Sequence, residues 1–126
     1  MRPESCSMCQ VLLDRFWTYI VREEGTSRPR TECLIAYGVL CTLAGVPHLT
    51  RYPGRFLQEI AEWCAANGWP PLNALAINAD EGHPGSHYDV APECSLLNWP
   101  AEVDECIAFR GYPRQAPRPG TQRDSA

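Results

Sequence analysis

Two pairs of side chains have the types and local spacing of zinc ligands. Cys6 and Cys9 form a Cys-x-x-Cys motif, and His83 and His87 stand four residues apart. A tetrahedral zinc site uses these donors, so one hypothesis is a site that all four share. However, more than seventy residues separate the pairs, which no short zinc finger spans. Two cysteines three apart on a helix can instead both face a core, and we favour that interpretation, with no metal and no cofactor.

The same histidines could do acid–base chemistry, because histidine titrates near neutral pH. Acidic side chains stand nearby at Asp80, Glu81 and Asp89. Glycines and prolines surround them, which is typical of an exposed turn and a poor place to exclude water. We therefore interpret the histidines as solvated turn residues and predict no catalytic residue in this stretch.

The seven cysteines raise the alternatives of disulfides or a metal site, but their number is odd. Most lie within apolar segments, where a reduced cysteine behaves as a small hydrophobic side chain. Redox chemistry at Cys-x-x-Cys favours a helix start that follows a strand, and no strand is predicted before Cys6. Buried, reduced thiols are the predicted state.

Length and charge restrict the class of protein. The chain has 126 residues, 44% of them hydrophobic, which fits one globular domain. No apolar run approaches the roughly 18–20 residues of a membrane span, and no secretory signal is recognisable, so we expect a cytoplasmic protein with no membrane partner. Residues 1–111 carry eight arginines and fourteen acids, and residues 112–126 carry three arginines and one acid. An acidic body of this kind is a poor ligand for a phosphate backbone.

Hydrophobic periodicity predicts four helices, over residues 4–24, 37–44, 54–67 and 99–109. Gly25 and Gly68 are expected to end the first and third of them. Residues 33–35 are predicted to be extended, and residues 72–78 and 86–90 to form a hairpin around a turn at 79–85.

This order predicts an α+β, mainly helical fold with a winged helix-turn-helix core and extra helices at both ends. Residues 1–111 would form a single winged-helix-like domain, and residues 112–126 a flexible or extended tail rich in proline and arginine.

A resemblance supports that fold. The stretch LIAYGVLCTLAGVPH…RFLQEIAEWCAANGWPPLNALAINADEGHPGSHYD resembles small winged-helix-like proteins of phages and mobile elements. It is more distantly similar to the carboxy-terminal domain of the O6-alkylguanine-DNA alkyltransferase and alkyltransferase-like families. The similarity covers about residues 35–89, and the positions that match are Tyr37-Gly38, Arg51, Gly54, Pro71, Gly82 and Tyr88.

The resemblance implies a fold but not the repair reaction. That family transfers alkyl groups to a cysteine in a Pro-Cys-His-Arg motif, and the corresponding region here, residues 75–79, reads LAINA. Without a nucleophile and a base, alkyl transfer is not expected. We therefore expect a non-enzymatic protein.

Two functions follow, of different classes. The first is an inhibitor or adaptor from a phage or mobile element that occupies a protein partner, most concretely an anti-defence protein of the anti-CRISPR type. The second is a winged-helix DNA-binding regulator or an alkyltransferase-like lesion binder, which the acidic charge disfavours. The residues predicted to contact the partner are Arg51, Arg55, Glu59, Glu62, Asp80 and Glu81, with Trp69 as an anchor. The sequence leaves the oligomeric state open.

Overall fold

The computed structural model describes residues 1–120, so residues 121–126 of the predicted tail lie outside the described part of the chain. Five α-helices and two short strands follow one another in this order: α1 Pro3–Arg15, α2 Arg30–Cys33, β1 Ile35–Ala36, α3 Tyr37–Leu43, α4 Gly54–Ala66, β2 Ala76–Ile77 and α5 Trp99–Ala108. A π-helical turn at Phe16–Ile20 continues α1. The remaining helical segments are 3-10 turns: Glu23–Gly25, Pro47–Leu49, Leu72–Leu75, Ser86–Val90 and Leu96–Asn98. The prediction of a mainly helical α+β protein is confirmed.

The core lies where α1 packs against α3 and α4. The apolar stripe predicted for the first helix is buried, with Met8, Leu12, Phe16 and Ile20 fully inaccessible to solvent. From α4 the same core receives Leu57, Ile60 and Cys64, which recur at helical spacing. α5 closes the core on the side of the Leu72–Leu75 turn and adds Val103 and Cys106.

The first helix is shorter than predicted. The helical backbone ends at Ile20, and Val21 is extended and pairs with Ser27 in an isolated antiparallel bridge. Gly25 does take the left-handed conformation expected of it, with φ of 75°, but in a turn beyond the helix end. Gly25 was therefore correctly predicted to lie in a turn, but the predicted helix end at residue 24 was wrong.

The predicted hairpin does not form. Residues 72–75 make a 3-10 turn, in which Ala74 N donates to Pro71 O at 3.1 Å, and Ser86–Val90 is a second such turn. β2 instead pairs in parallel with β1, Ile35 opposite Ala76 and Ala36 opposite Ile77. Residues 71–76 are buried as a block, and a short continuous apolar run does not distinguish a strand from a tight helical turn. Among residues 1–120 no antiparallel pair of strands forms a wing.

Residues 112–120, predicted to belong to a flexible or extended tail, form neither helix nor strand and pack against α1, with a bend at residues 114–115 and a turn at residues 119–120. Tyr112 is buried and packs edge-to-face on Phe16, with 5.1 Å between ring centroids. Gln10 holds the segment on both sides: its Nε2 donates to Arg114 O at 2.9 Å, and its Oε1 accepts from Ala116 N at 2.8 Å. The packed region thus extends beyond residue 111 to the end of the described chain. None of the helices in that part has the length and apolarity to cross a membrane.

Candidate functional site

An open groove lies where three chain segments meet at the carboxyl ends of the two strands. α3 begins with Tyr37 directly after β1, and the Tyr37 hydroxyl accepts a hydrogen bond from Gly85 N at 2.8 Å. That bond ties the 84–87 segment to α3. The His87 ring then packs against Tyr37, 5.9 Å between centroids, and against the backbone of Gly54 at the start of α4.

The groove has a volume of about 1350 Å³. Four of the seven residues predicted to contact a partner line it: Arg51 and Arg55 beside the start of α4, and Asp80 and Glu81 on the turn that follows β2. All four side chains are exposed. Within residues 1–120 none of them forms an ion pair or donates or accepts a side-chain hydrogen bond. The groove therefore presents two free positive and two free negative groups.

Three large apolar side chains also line the groove and are exposed. Val39 is 53% exposed, Leu43 64% and Tyr52 78%. They are three of only five large hydrophobic side chains that are exposed in the described chain, the others being Val90 and Leu97. All three belong neither to the buried core nor to the partly buried side chains packed against it. Exposed apolar side chains concentrated in one concave surface are typical of a binding site rather than of a solvated face.

The sequence pattern contained a signal for these residues that the prediction missed. Val39 and Leu43 are four residues apart on α3, whose buried face carries Leu40 and Cys41. Apolar residues at that spacing on the opposite face of a short helix have no core to join. The pattern therefore identifies an exposed apolar stripe once the buried face is assigned.

The amino-terminal end of α4 adds unpaired backbone donors to the groove. Pro53 precedes the helix and offers no side-chain cap, and the first backbone bonds are those from Phe56 N and Leu57 N to Pro53 O. The N–H groups of Gly54 and Arg55 consequently have no acceptor within residues 1–120. Unpaired N–H groups and the aligned peptide dipoles give this end of the helix a partial positive charge.

His87 also lines the groove, beside Tyr37 and Gly54. Burial lowers the pKa of its imidazole, because a charged ring would lose hydration there, so the neutral form dominates at neutral pH. Its ring nitrogens have no hydrogen-bond partner in the described chain, whereas His83 Nδ1 lies 2.8 Å from Pro84 O. The interpretation of both histidines as solvated turn residues holds for neither, because His83 and His87 are both half-buried.

The other three predicted contact residues lie outside the groove. Glu59 accepts hydrogen bonds from Arg2 N at 2.9 Å and Ser5 Oγ at 2.6 Å and pairs with the Arg2 guanidinium at 3.0 Å. Burial alone would raise the pKa of Glu59, but these donors outweigh it and the net shift is downward. Glu62 is exposed and accepts a 3.4 Å hydrogen bond from Gln58. Glu59 thus joins α4 to α1.

Trp69 is half-buried among other aromatic rings. Its centroid lies 5.0 Å from that of Trp63 and 6.0 Å from that of Tyr112, both in edge-to-face geometry. One side of it borders a second cavity, of about 660 Å³, together with Glu102 and Cys94. Trp69 therefore supports the packing of the carboxy-terminal segment, and it does not anchor the groove.

The cysteines do not form a reactive or metal-binding cluster with the histidines. Cys6 and Cys9 lie in the core on α1, and no group of three or more histidine, cysteine or acidic side chains that could hold a metal ion exists among residues 1–120. Burial raises the pKa of all seven thiols, that of Cys64 to about 12. Protonated thiols are weak nucleophiles and weak ligands. The described thiols therefore behave as small hydrophobic side chains.

Comparison of the chain with known protein families, with curated proteins and with solved structures finds no match. The resemblance to winged-helix proteins of mobile elements consequently stays a hypothesis. The groove must be interpreted from its own geometry and chemistry.

Proposed function

We propose that the protein acts by binding another protein, which docks in the groove between α3, the start of α4 and the turn after β2. One observation supports this most: four residues selected from the sequence as partner contacts share one concave surface with three exposed apolar side chains. Apolar anchors with charged groups around them are the composition of a protein interface.

The energetics favour such a partner. Val39, Leu43 and Tyr52 together leave apolar surface in water that the protein's own core does not cover. Covering it gains roughly 25 cal/mol per Å² of apolar area, and tyrosine is among the side chains that dominate interface energies. Because the groove's charged side chains have no intramolecular ion pairs in the described chain, docking breaks none.

The narrower form of this proposal is an anti-defence protein of a phage or mobile element, of the anti-CRISPR type, which blocks a host complex by occupying it. Its support is the small size of the chain, its acidic charge and the resemblance over residues 35–89. In this form the helix pair α3–α4 would be a winged-helix scaffold whose wing has been replaced by the tight turn carrying Asp80 and Glu81.

DNA binding is the weaker alternative. Arg51 and Arg55 share their groove with two carboxylates, which repel a phosphate backbone. Most other arginines of the described chain are engaged internally: Arg30 pairs with Asp104, and Arg114 stacks on Trp17. A shift assay with duplex DNA at low salt tests this alternative, since binding that weakens steeply with added salt would favour it over a protein partner.

A site-specific crosslinking experiment tests the proposal. A photoreactive amino acid replaces Tyr52, and the purified protein is irradiated in lysate of a host that carries defence complexes. We expect one defence protein to be crosslinked, and the crosslink to be lost when Leu43→Gln is added. Leu97→Gln is the matched control, because Leu97 is 90% exposed and lies outside the groove.

Two results would count against the proposal. One is a crosslinked protein that persists equally with Leu43→Gln and with Leu97→Gln, because capture would then not depend on the groove. The other is the absence of any crosslinked defence protein. For the narrower form, expression of the protein should restore plaque formation by a phage that the defence system restricts, and Leu43→Gln should abolish that restoration.

A further inference from the structure

The groove carries charge of both signs on two separate segments of the chain, and no ion pair joins them, which restricts what can occupy it. The basic wall consists of Arg51 and Arg55, and the acidic wall consists of Asp80 and Glu81. We propose that the occupant is a polypeptide segment that carries a carboxylate side chain for the basic wall, apolar side chains for Val39 and Leu43, and a lysine or arginine for the acidic wall. This inference rests on the proposed function and adds the partner's chemistry.

The basic wall is suited to a carboxylate because nothing in the described chain neutralises it. Three arginines elsewhere, Arg2, Arg28 and Arg30, form ion pairs. By contrast, Arg51 and Arg55 have no side-chain partner among residues 1–120. The nearest acid at helical spacing is Glu59, four residues after Arg55, and it is occupied by Arg2 and Ser5.

Backbone donors reinforce the basic wall. The unpaired N–H groups of Gly54 and Arg55 lie at the start of α4, three and four residues after Arg51, and both residues line the groove. A carboxylate can accept from N–H groups and from a guanidinium at once, and such charge-assisted bonds are the strong ones. The basic wall thus combines two guanidinium groups with two fixed dipoles.

The acidic wall is held in place by its own turn. Asp80 N donates to Asn78 Oδ1 at 2.9 Å, Gly82 N donates to Asn78 O at 2.8 Å, and Asn78 pairs with His83 in an antiparallel bridge. Gly82 has φ of 77°, a conformation that the closed turn requires. The carboxylates of Asp80 and Glu81 therefore project from an ordered backbone, and neither accepts a hydrogen bond or forms an ion pair in the described chain.

The two walls do not pair with each other, since no ion pair joins them. An occupant with only negative charge, such as a nucleic acid, would be attracted at one wall and repelled at the other. An uncharged occupant would cover all four charges without compensating them. A segment that carries both a carboxylate and a basic side chain beside its apolar residues satisfies both walls.

Peptide selection tests this inference without a known partner. Random short peptides displayed on phage are selected on the immobilised full-length protein, and the affinity of the most enriched peptide is then measured by fluorescence polarisation. We expect its sequence to carry both an acidic residue and a basic residue together with apolar ones. The double variant R51E/R55E should weaken it by about tenfold, since each exposed pair contributes modestly and reversal adds repulsion.

Charge swaps make the test specific. A peptide whose acidic residue is changed to lysine should regain affinity for R51E/R55E, and a peptide whose basic residue is changed to glutamate should regain affinity for D80K/E81K. Arg22→Glu is the matched control: Arg22 is exposed, lies outside the groove and has no side-chain partner among residues 1–120, so its reversal should change the affinity little. Unchanged urea unfolding midpoints confirm that the variants fold.

The outcomes separate the inference from the proposed function. If enriched peptides lose affinity with Leu43→Gln but do not carry both an acidic and a basic residue, or if the swaps do not restore affinity, the inference is wrong and groove binding stands. The inference is equally wrong if the peptides are uniformly acidic or are displaced by DNA, because the occupant would then carry a single charge sign. If no peptide is recovered whose binding depends on Leu43, the proposed function fails and the inference fails with it.

Discussion

Replacing Gly54 by alanine should force α4 away from the segment that carries His87. A Cβ built on Gly54 lies 2.9 Å from both Cβ and Cγ of His87 and 3.2 Å from its Nδ1. Ordinary carbon–carbon contacts are about 3.5–4.0 Å, so the two backbones must separate by about 0.6 Å or more. Rotation of the His87 side chain cannot relieve the contact with its own Cβ. The strain therefore falls on the junction that forms one side of the groove.

The expected loss of stability follows from two opposing terms. Overpacking a close contact costs typically about 1–3 kcal/mol. Alanine is favoured over glycine within a helix by at most about 1 kcal/mol, and Gly54 is only the first helical residue. The net loss should be about 1–2 kcal/mol in the free energy of unfolding. With a urea dependence of about 1–3 kcal/mol per molar, the unfolding midpoint should fall by roughly 1 M.

The assay is urea unfolding of the single and double variants, with a matched glycine elsewhere. In a His87→Gly background all three close atoms are gone, so Gly54→Ala should be neutral or stabilising there by up to about 1 kcal/mol. Gly38→Ala is the control, because its Cβ would meet only Thr50 Cγ2 at an ordinary 3.5 Å within α3. An unchanged midpoint for Gly54→Ala, or the same loss in both backgrounds, would refute the close approach of α4 to His87.

Three further predictions concern the interior. Tyr88→Phe removes the hydroxyl that donates to Glu102 Oε1 at 2.6 Å in a buried pair, so urea unfolding should show a loss of about 1–3 kcal/mol, whereas Tyr52→Phe, at a 78% exposed residue, should show none. Burial lowers the pKa of His87 in the folded protein below its unfolded value of about 6.5. The contribution of neutral His87 to stability is therefore complete above about pH 6.5 and is lost as the pH falls from there toward the folded pKa. When the pH is lowered from about 7.5 to about 5.5, wild type should therefore lose more unfolding free energy than His87→Gln. A difference between the two proteins that does not change with pH would contradict this sign. Cys94 is the one cysteine that is not buried, so a thiol reagent at neutral pH should modify it in the folded protein, and Cys94→Ser should abolish that phase. The other six thiols should react only after unfolding, and rapid reaction of more than one thiol in the folded protein would contradict the buried core.

Much of the helical fold was predictable because its signals are local. The structure has α4 at Gly54–Ala66 against a predicted 54–67, and α5 at Trp99–Ala108 against 99–109. In both, apolar residues at helical spacing coincide with a boundary signal, the stop at Gly68 after α4 and Pro100 with Glu102 in the first turn of α5. The burial of six of the seven cysteines followed from their apolar neighbours in the same way.

The candidate site was predictable in part. Arg51, Arg55, Asp80 and Glu81 were identified as exposed charges near a helix start and a turn, and the structure brings these four to one groove. The interactions of Glu59 were not predictable, because its partners Arg2 and Ser5 lie more than fifty residues earlier in the chain. A charge on a helix is free or occupied depending on which element packs beside it, and spacing alone does not determine that.

The amino-acid sequence by itself determined the helices, the apolar stripes that form the core, the turns at glycine and proline, and the lack of the cysteine motif that alkyl transfer needs. These depend on backbone preferences and on periodicities within a few residues. Tertiary structure alone decided that Ala76–Ile77 pairs in parallel with Ile35–Ala36 rather than in a hairpin, and that residues 112–120 lie on α1. It also decided that the charges of the groove remain unpaired in the described chain. Short segments have little preference of their own, so the surface left to them by the packed helices selects their partners.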